Sequence, residues 1–448
     1  MTTPEPIPFF SAAAAFASGQ GTPRTLLERC LARLDEHEPR VHAFVCHDIA
    51  GARDAADRAG ARWRDGRPLS AIDGMPVGVK DIIETVDMPT GQGSPLWEGT
   101  RTGRDAASTA ALREAGAVIL GKTVTTEFAS SEPLGPTRNP HDPARTPGGS
   151  SSGSAAAVGC GMVPAALGTQ VVGSIIRPAS FCGCIGYKPS VGGINRGGSY
   201  DEFSQSCTGL LAASLEDAWL VTRAITSRIG GDPGYSGVQG PMEPPAAAKP
   251  RRLAMLETDG WAAASDEAKA ALGAATARLG AAGVAIVGRR DDPALAAMET
   301  ALSGAEALVR RINAWEGRWP LNTYREIDAS KLSRAALDRL TTAESMTQDD
   351  YVAAIARRRE VRAQFAALAS SCDGVVTLPA TGPAPLGLAS TGNPIFAVPF
   401  SLLGVPTVSL PVLLAEGLPL GLQVVGFEGA DARLFALAAW VRDLFAAG

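Results

Sequence analysis

Three features of this sequence could carry chemistry: a lysine, a run of serines and one further serine. Lys80 closes the apolar stretch PVGVK, residues 76–80. Residues 147–154 read PGGSSSGS, and residues 168–183 read GTQVVGSIIRPASFCG, where a strand end passes through glycine into Ser174 and then a helical turn. A long lysine side chain ordinarily snorkels to water, or pairs with an acid such as Asp81. Desolvated instead, its pKa falls and it becomes a base. A hydroxyl at a helix start with backbone N–H groups converging beside it is placed for attack and for stabilising an oxyanion, although a serine there is usually only a cap.

The serine run admits several readings. A Gly/Ser linker would stay solvated, but this run continues as AAAVGCGMVPAALG, a helix followed by a short strand. A phosphate loop needs a lysine after its last glycine, and Ser154 and Ala155 stand there. Gly149 to Gly153 also fits G-x-S-x-G, a nucleophile elbow with Ser151 as nucleophile, whose chain order is Ser, then Asp or Glu, then His. The four histidines, His37, His42, His47 and His141, all precede the serines, so such an elbow has no base.

These groups need elements to hold them. Residues 23–70 read as helical, with Leu26, Leu27, Cys30, Leu31 and Leu34 on one face. GMPVGVK reads as a buried strand, DAASTAALREAG as a helix ending at Gly116, and AVILGKT as the next strand. Helix alternating with strand indicates α/β layering. Residues 231–252 are rich in Pro and Gly and read as linker-like. After them come the strand RLAMLE, a helix over 265–279, the strand VAIVG and a mainly helical stretch over 291–371. That stretch carries an apolar stripe of Ile355, Val361, Phe365 and Leu368, beside Arg357, Arg358 and Arg359 as a solvated face. GVVTLP, TVSLPV and GLQVVG return to strands before a last helix, and strands on both sides of the linker can share one sheet.

Composition bounds the function. At 448 residues, 45% hydrophobic and 19% charged, the chain is a folded protein. A net charge of −5 with no basic stripe argues against nucleic-acid partners. The N-terminus lacks the positive region of a signal peptide, and no apolar run approaches the ~18 residues of a membrane span. A cytoplasmic protein is expected. Cys30, Cys46, Cys160, Cys182, Cys184, Cys207 and Cys372 are odd in number and irregularly spaced, which reads as free buried thiols. The histidines form no H-E-x-x-H and no pairing with cysteine at metal-ligand spacing, so a zinc site is not expected.

Together the motifs resemble the amidase signature family. Its hallmark is close to GGSSGGSAAA, followed by GTDTGGSIR, PAxFCG and GxKP. This chain has GGSSSGSAAA, GTQVVGSIIRPASFCG and GYKPS at matching spacing, flanked by IDGMPVGVKDII, KTVTTEFAS, LGPTRNPHDPARTPGGSS and GVPTVSLPVLLAEGLPLGLQVVG. The resemblance covers nearly all of residues 1–448 and is weakest over 235–370. It implies a single large α/β domain with a central mixed β-sheet flanked by helices, in which 235–370 is a variable, mainly helical region shaping the substrate pocket. It implies a Ser–Ser–Lys triad with Ser174 as nucleophile, Ser150 as relay, joined to Gly149 by a cis bond, and Lys80 as base. Ser151 and Gln170 would be supporting residues, and the backbone N–H groups of Val171, Val172 and Gly173 an oxyanion hole.

The function implied is acyl transfer without cofactor: hydrolysis of a C–N bond in a small amide or carbamate, with esterase side activity conceivable, by a monomer or homodimer. The family also holds urea- and biuret-type amidohydrolases and the glutaminase subunit of a tRNA-dependent amidotransferase. A non-catalytic scaffold is the reading from a different class. The pattern departs where the family's DTGGSIR becomes QVVGSIIR. Gln170 replaces an acid, Val172 replaces a glycine, and the arginine moves to Arg177. Loss of the acid together with the arginine at its usual place is expected if the two formed an ion pair, and the two valines should stiffen the oxyanion loop.

Overall fold

The computed structural model describes residues 4–130, 132 and 134–447. Their strands form one mixed eleven-stranded sheet. In chain order these are β1 (Phe44–His47), β2 (Pro76–Lys80), β3 (Val118–Thr123), β4 (Ala165–Gln170), β5 (Ile185–Lys188), β6 (Cys207–Ala212), β7 (Arg252–Met255), β8 (Ala285–Val287), β9 (Gly374–Thr377), β10 (Thr407–Ala415) and β11 (Leu418–Val425). Across the sheet the order is β1-β3-β2-β4-β6-β5-β10-β11-β9-β7-β8. Strands from both sides of the Pro/Gly-rich 231–252 segment therefore share one sheet.

β2, β3, β4, β5, β6 and β9 are buried along their whole length, which is why they read as continuous apolar runs rather than alternating ones. β2 lies between β3 and β4 and is parallel to both, with Lys80 opposite Thr123 and Val79 opposite Leu167. The three strands thus end at one edge, the edge beyond which α/β sheets form their ligand crevices. β6 runs antiparallel to β4 and sets Thr208 opposite Thr169.

Helices cover the faces. Pro23–Val41 is opened by a capping box at Thr22 and buries Leu26, Leu27, Cys30, Leu31 and Leu34, the face read from sequence. The helical reading of residues 23–70 is corrected by β1, which lies between the helices Pro23–Val41 and Ile49–Arg64. Phe44 and Cys46 pair with Thr123 and Lys122 there, so edge pairing overrides the helical neighbours. The helices Ser152–Gly159 and Ile176–Cys182 are buried on every side. A Cβ at Gly153 would collide with the Ala43 carbonyl and the Val124 nitrogen, so glycine there lets the first of these helices sit against the sheet.

Residues 235–370 contribute β7, β8 and the helices Asp266–Ala281, Pro293–Leu302, Ala305–Asp328, Arg334–Glu344 and Gln348–Ala367. Val361, Phe365 and Leu368 enter a core cluster with Leu295, Met298 and Phe400. Ile355 packs instead on a cluster formed by Val309, Ile312, Val398 and Leu402, which Val172 also joins. Of the three arginines assigned to a solvated face, Arg357 and Arg359 are exposed. Arg358 is buried and donates to Ser204 Oγ at 2.7 Å, because its turn of helix faces the 199–208 segment.

Candidate active site

Lys80 is fully buried at the end of β2. Its Nζ donates to Ser150 Oγ at 2.7 Å and to Thr169 Oγ1 at 2.8 Å. Neither partner is charged. Burial therefore dominates and lowers the Lys80 pKa from its usual 10.5 to about 7, opposed by the charge of nearby Asp201. An amine so placed can exist neutral near pH 7 and accept a proton.

The serine run folds into the loop that enters the Ser152–Gly159 helix, and each hydroxyl has its own task. Gly148 adopts a positive φ of 82°, and the Gly149–Ser150 peptide is cis. Ser150 presents its oxygen to Lys80. Ser151 Oγ lies 3.2 Å from the Thr169 carbonyl and accepts the Thr169 N–H at 3.3 Å, while the Ser151 N–H reaches the Ser174 carbonyl at 3.4 Å. Ser152 Oγ and Ser154 Oγ donate to the carbonyls of Val124 and Leu167. Ser151 is thus a buried clamp between the serine loop, β4 and Ser174, which sets its hydroxyl apart from an elbow nucleophile.

Ser174 follows β4 by four residues and is 8% exposed, against 1% for Ser150. The loop between is held by its carbonyls. Val171 O accepts from Gln205 Nε2 at 2.9 Å, Val172 O from Ser401 Oγ at 2.8 Å, and Gly173 O from the Arg177 N–H at 3.1 Å. Among the described residues no partner takes the N–H groups of Val171, Val172 and Gly173. Donors left open beside a hydroxyl suit an oxyanion. The Val172 side chain turns away into the apolar cluster of Val309, Ile312 and Val398.

Gln170 explains how the loop does without an acid. Its Oε1 accepts the N–H groups of Ile175 and Ile176 at 2.8 and 3.0 Å, and its Nε2 donates to Ser401 Oγ at 3.0 Å. The amide oxygen satisfies the first donors of the following helix as a carboxylate would, and the amide nitrogen ties that helix to the residue gripping Val172 O. Arg177, one place along from the family's arginine, keeps the positive charge without an acid. Its guanidinium is fully buried without a carboxylate, donating from Nη2 to Gly149 O at 2.7 Å and Thr391 Oγ1 at 2.9 Å, and burial lowers its pKa to about 9. Its partners are neutral oxygens.

Sequence reading missed Thr169, Gln205, Ser401 and Thr391. Thr169 carried a signal, being one residue from Gln170 at a strand end. The others reach the site from distant segments, and only the sheet order brings them there. Among the described residues no group of three His, Cys, Asp or Glu could hold a metal ion.

Comparison with known proteins places this architecture. The family model described as Amidase matches residues 25–435. This chain belongs to the amidase signature family. A fatty acid amide hydrolase from Medicago truncatula is 31% identical over 473 aligned residues, covering 96% of this chain and 75% of that protein. A glutamyl-tRNA(Gln) amidotransferase subunit from Anaeromyxobacter dehalogenans is 34% identical over 453 aligned residues, covering 92% of this chain and 91% of that one. A solved structure described only as an amidase superposes with a TM-score of 0.85 at 29% identity, covering 98% of this chain and 99% of its own. This amidase signature protein is thus a hydrolase of amide C–N bonds whose substrate the family leaves open, and its mixed sheet flanked by helices is the family fold.

Proposed function

We propose that the protein hydrolyses a small amide or carbamate through an acyl-enzyme, with Ser174 as nucleophile, Ser150 as relay and Lys80 as base. The observation that carries this is Lys80, a fully buried amine bonded only to hydroxyls and lowered to about 7. As the Ser174 oxygen attacks the carbonyl carbon, its proton passes to Ser150 Oγ and the Ser150 proton to neutral Lys80. The carbonyl oxygen, now negative, is held by the open N–H groups of Val171, Val172 and Gly173. Collapse breaks the C–N bond, and the proton returns from Lys80 through Ser150 to the leaving nitrogen. Water then attacks the acyl-enzyme along the same relay and frees the acid and Ser174.

The packing suggests where a substrate chain would lie. Thr126 stands against Gly149, and Phe128, two residues on, packs on Tyr324 with ring centroids 5.0 Å apart, as Trp97 does at 5.4 Å. Tyr324 comes from the 235–370 region, which supports the reading that this region shapes the substrate pocket. The test is peptide mapping after a small fluorophosphonate, alongside a panel of amides, carbamates, ureas and esters. One adduct on Ser174 and turnover of an amide or carbamate are expected; an adduct on Ser151, or turnover unchanged in Ser174→Ala, would remove Ser174 as nucleophile. The likeness to a glutamyl-tRNA(Gln) amidotransferase component over most of both chains supports a second reading, glutamine hydrolysis within an assembly. Glutamine as the only substrate turned over, with partner chains co-purifying, would favour it.

A further inference from the structure

Beside Lys80 lies a second polar group that the triad does not use. Residues 199–201 run antiparallel to the chain leaving β2, with Ser199 bridged to Ile83 and the Tyr200 N–H donating to the Ile82 carbonyl at 2.9 Å. That path sets Asp201 next to the Lys80–Asp81 turn. Asp201 is 2% exposed, and neither carboxylate oxygen has a hydrogen-bond partner among the described residues. The nearby Arg196 is committed elsewhere: its guanidinium pairs with Asp232 at 2.7 Å and donates to the carbonyls of Asp201 and Phe203 at 2.9 Å.

The surroundings share this surplus of acceptors. Thr208 faces the Lys80 side of the sheet, because residues directly opposite in an antiparallel pair point the same way and Thr169 opposite it receives Lys80. Its hydroxyl is buried and unpartnered, as is that of Ser206, two residues before it. Gln205 uses its amide nitrogen on Val171 O and leaves Oε1 unpartnered. A buried carboxylate is costly unless a donor or a cation reaches it. Lys80 cannot serve as that cation while it acts as a neutral base.

We propose that Asp201, with Gln205 Oε1 and the Thr208 hydroxyl, forms a subsite for a primary ammonium group carried by the substrate, so that the protein prefers amides bearing a protonated amine. Carboxylate, amide oxygen and hydroxyl are the acceptor set an ammonium with three donors requires. The Gln205 bond to Val171 O fixes this subsite to the oxyanion loop, which sets the distance between the ammonium and the scissile carbonyl. The proposal deepens the amide-hydrolase reading and rests on it for the reactive end of the substrate.

The test uses full-length protein carrying Ser174→Ala, in which binding is read without turnover. Calorimetry compares ω-aminoalkanamides and N-(ω-aminoalkyl)acetamides of increasing chain length with their uncharged alkyl counterparts. At least one length should bind about tenfold more tightly with the ammonium than without it, the size of one charge-assisted hydrogen bond. Adding Asp201→Asn should bring that ratio close to one, and Asp201→Glu should keep a preference. Equal dissociation constants throughout both series, or a preference that survives Asp201→Asn, would overturn the subsite. Fluorophosphonate labelling of the wild-type protein separates the two readings: labelling at Ser174 without ammonium preference sinks the subsite alone, and preference without labelling sinks the hydrolase alone.

Discussion

Two lysines stand side by side in this protein in nearly equal burial, and their surroundings give them different work. Lys80 ends β2, and Lys122, on neighbouring β3, pairs in register with Val79. Both side chains are fully buried, and burial lowers the pKa of each. Around Lys122 the loss of water is answered by charge. Asp81 Oδ1 lies 3.0 Å away, and Thr90 Oγ1 and the Pro89 carbonyl accept at 2.7 and 3.0 Å, so the ion pair opposes the shift. Around Lys80 only two hydroxyls are in contact, and the charge of Asp201 opposes the shift without a hydrogen bond. Burial alone therefore does not suit a lysine to act as a base; burial without a carboxylate in contact does. The adjacent Asp81 pairs with the lysine across the strand and leaves its own neighbour unpaired.

This contrast can be broken from either side. The largest effect is expected in the Lys80 region: Ser174→Ala and Lys80→Met should each lower kcat by roughly ten-thousand-fold with the circular dichroism spectrum unchanged. Lys80→Met activity that recovers fully at high pH would show that another group is the base. In the Lys122 region the damage should fall on stability. Lys122→Met leaves Asp81 as an uncompensated buried charge and should cost about 3–5 kcal/mol in denaturant unfolding, most of it regained in the Lys122→Met/Asp81→Asn double variant. An additive double variant would mean that the two residues do not act as a pair.

Smaller changes sharpen the comparison. Gln170→Ala frees the N–H groups of Ile175 and Ile176 and the Ser401 grip on Val172 O, and should lower kcat by about tenfold, with KM within about twofold, as the loss of roughly one hydrogen bond. A change in KM alone would place Gln170 in substrate binding instead. Thr169→Val removes the second hydroxyl on Lys80 and should shift the pH midpoint of activity down by less than about one unit, since about 1 kcal/mol of hydrogen bonding favours the charged form. A midpoint that rises would mean that Thr169 supports the neutral amine.

The motif-bearing half of the site was legible because its groups are local. PVGVK, GGSSSGS and the run from Gly168 to Ser174 each place one functional residue at the end of one element, and the structure brings Lys80, Ser150, Ser151 and Ser174 together there. The sheet likewise followed from apolar runs punctuated by glycine. Charge partners were not legible in the same way. Arg177 lost its acid and found Gly149 O and Thr391 Oγ1, and the latter belongs to a segment 214 residues away. Gln205 reaches Val171 O, and Asp201 reaches the Lys80 turn, only through the antiparallel pairing of β4 with β6 and the bridge between Ser199 and Ile83. Such contacts are set by register between distant strands, and no spacing in one segment encodes them. β1 was hidden for a related reason, since its four residues are strand only by pairing with β3.

The central claim is that Lys80, its pKa lowered to about 7, supplies the neutral amine that drives Ser174 through Ser150. The most direct test is the rate of fluorophosphonate labelling of Ser174 as a function of pH, which needs no substrate. Because burial lowers the Lys80 pKa to about 7, the protonated, inactive form should prevail below that value. The rate should then fall about tenfold per pH unit below it and level off above it. In Lys80→Met labelling should be slow and flat. A midpoint near the ordinary lysine value, or an unchanged profile in Lys80→Met, would contradict the account.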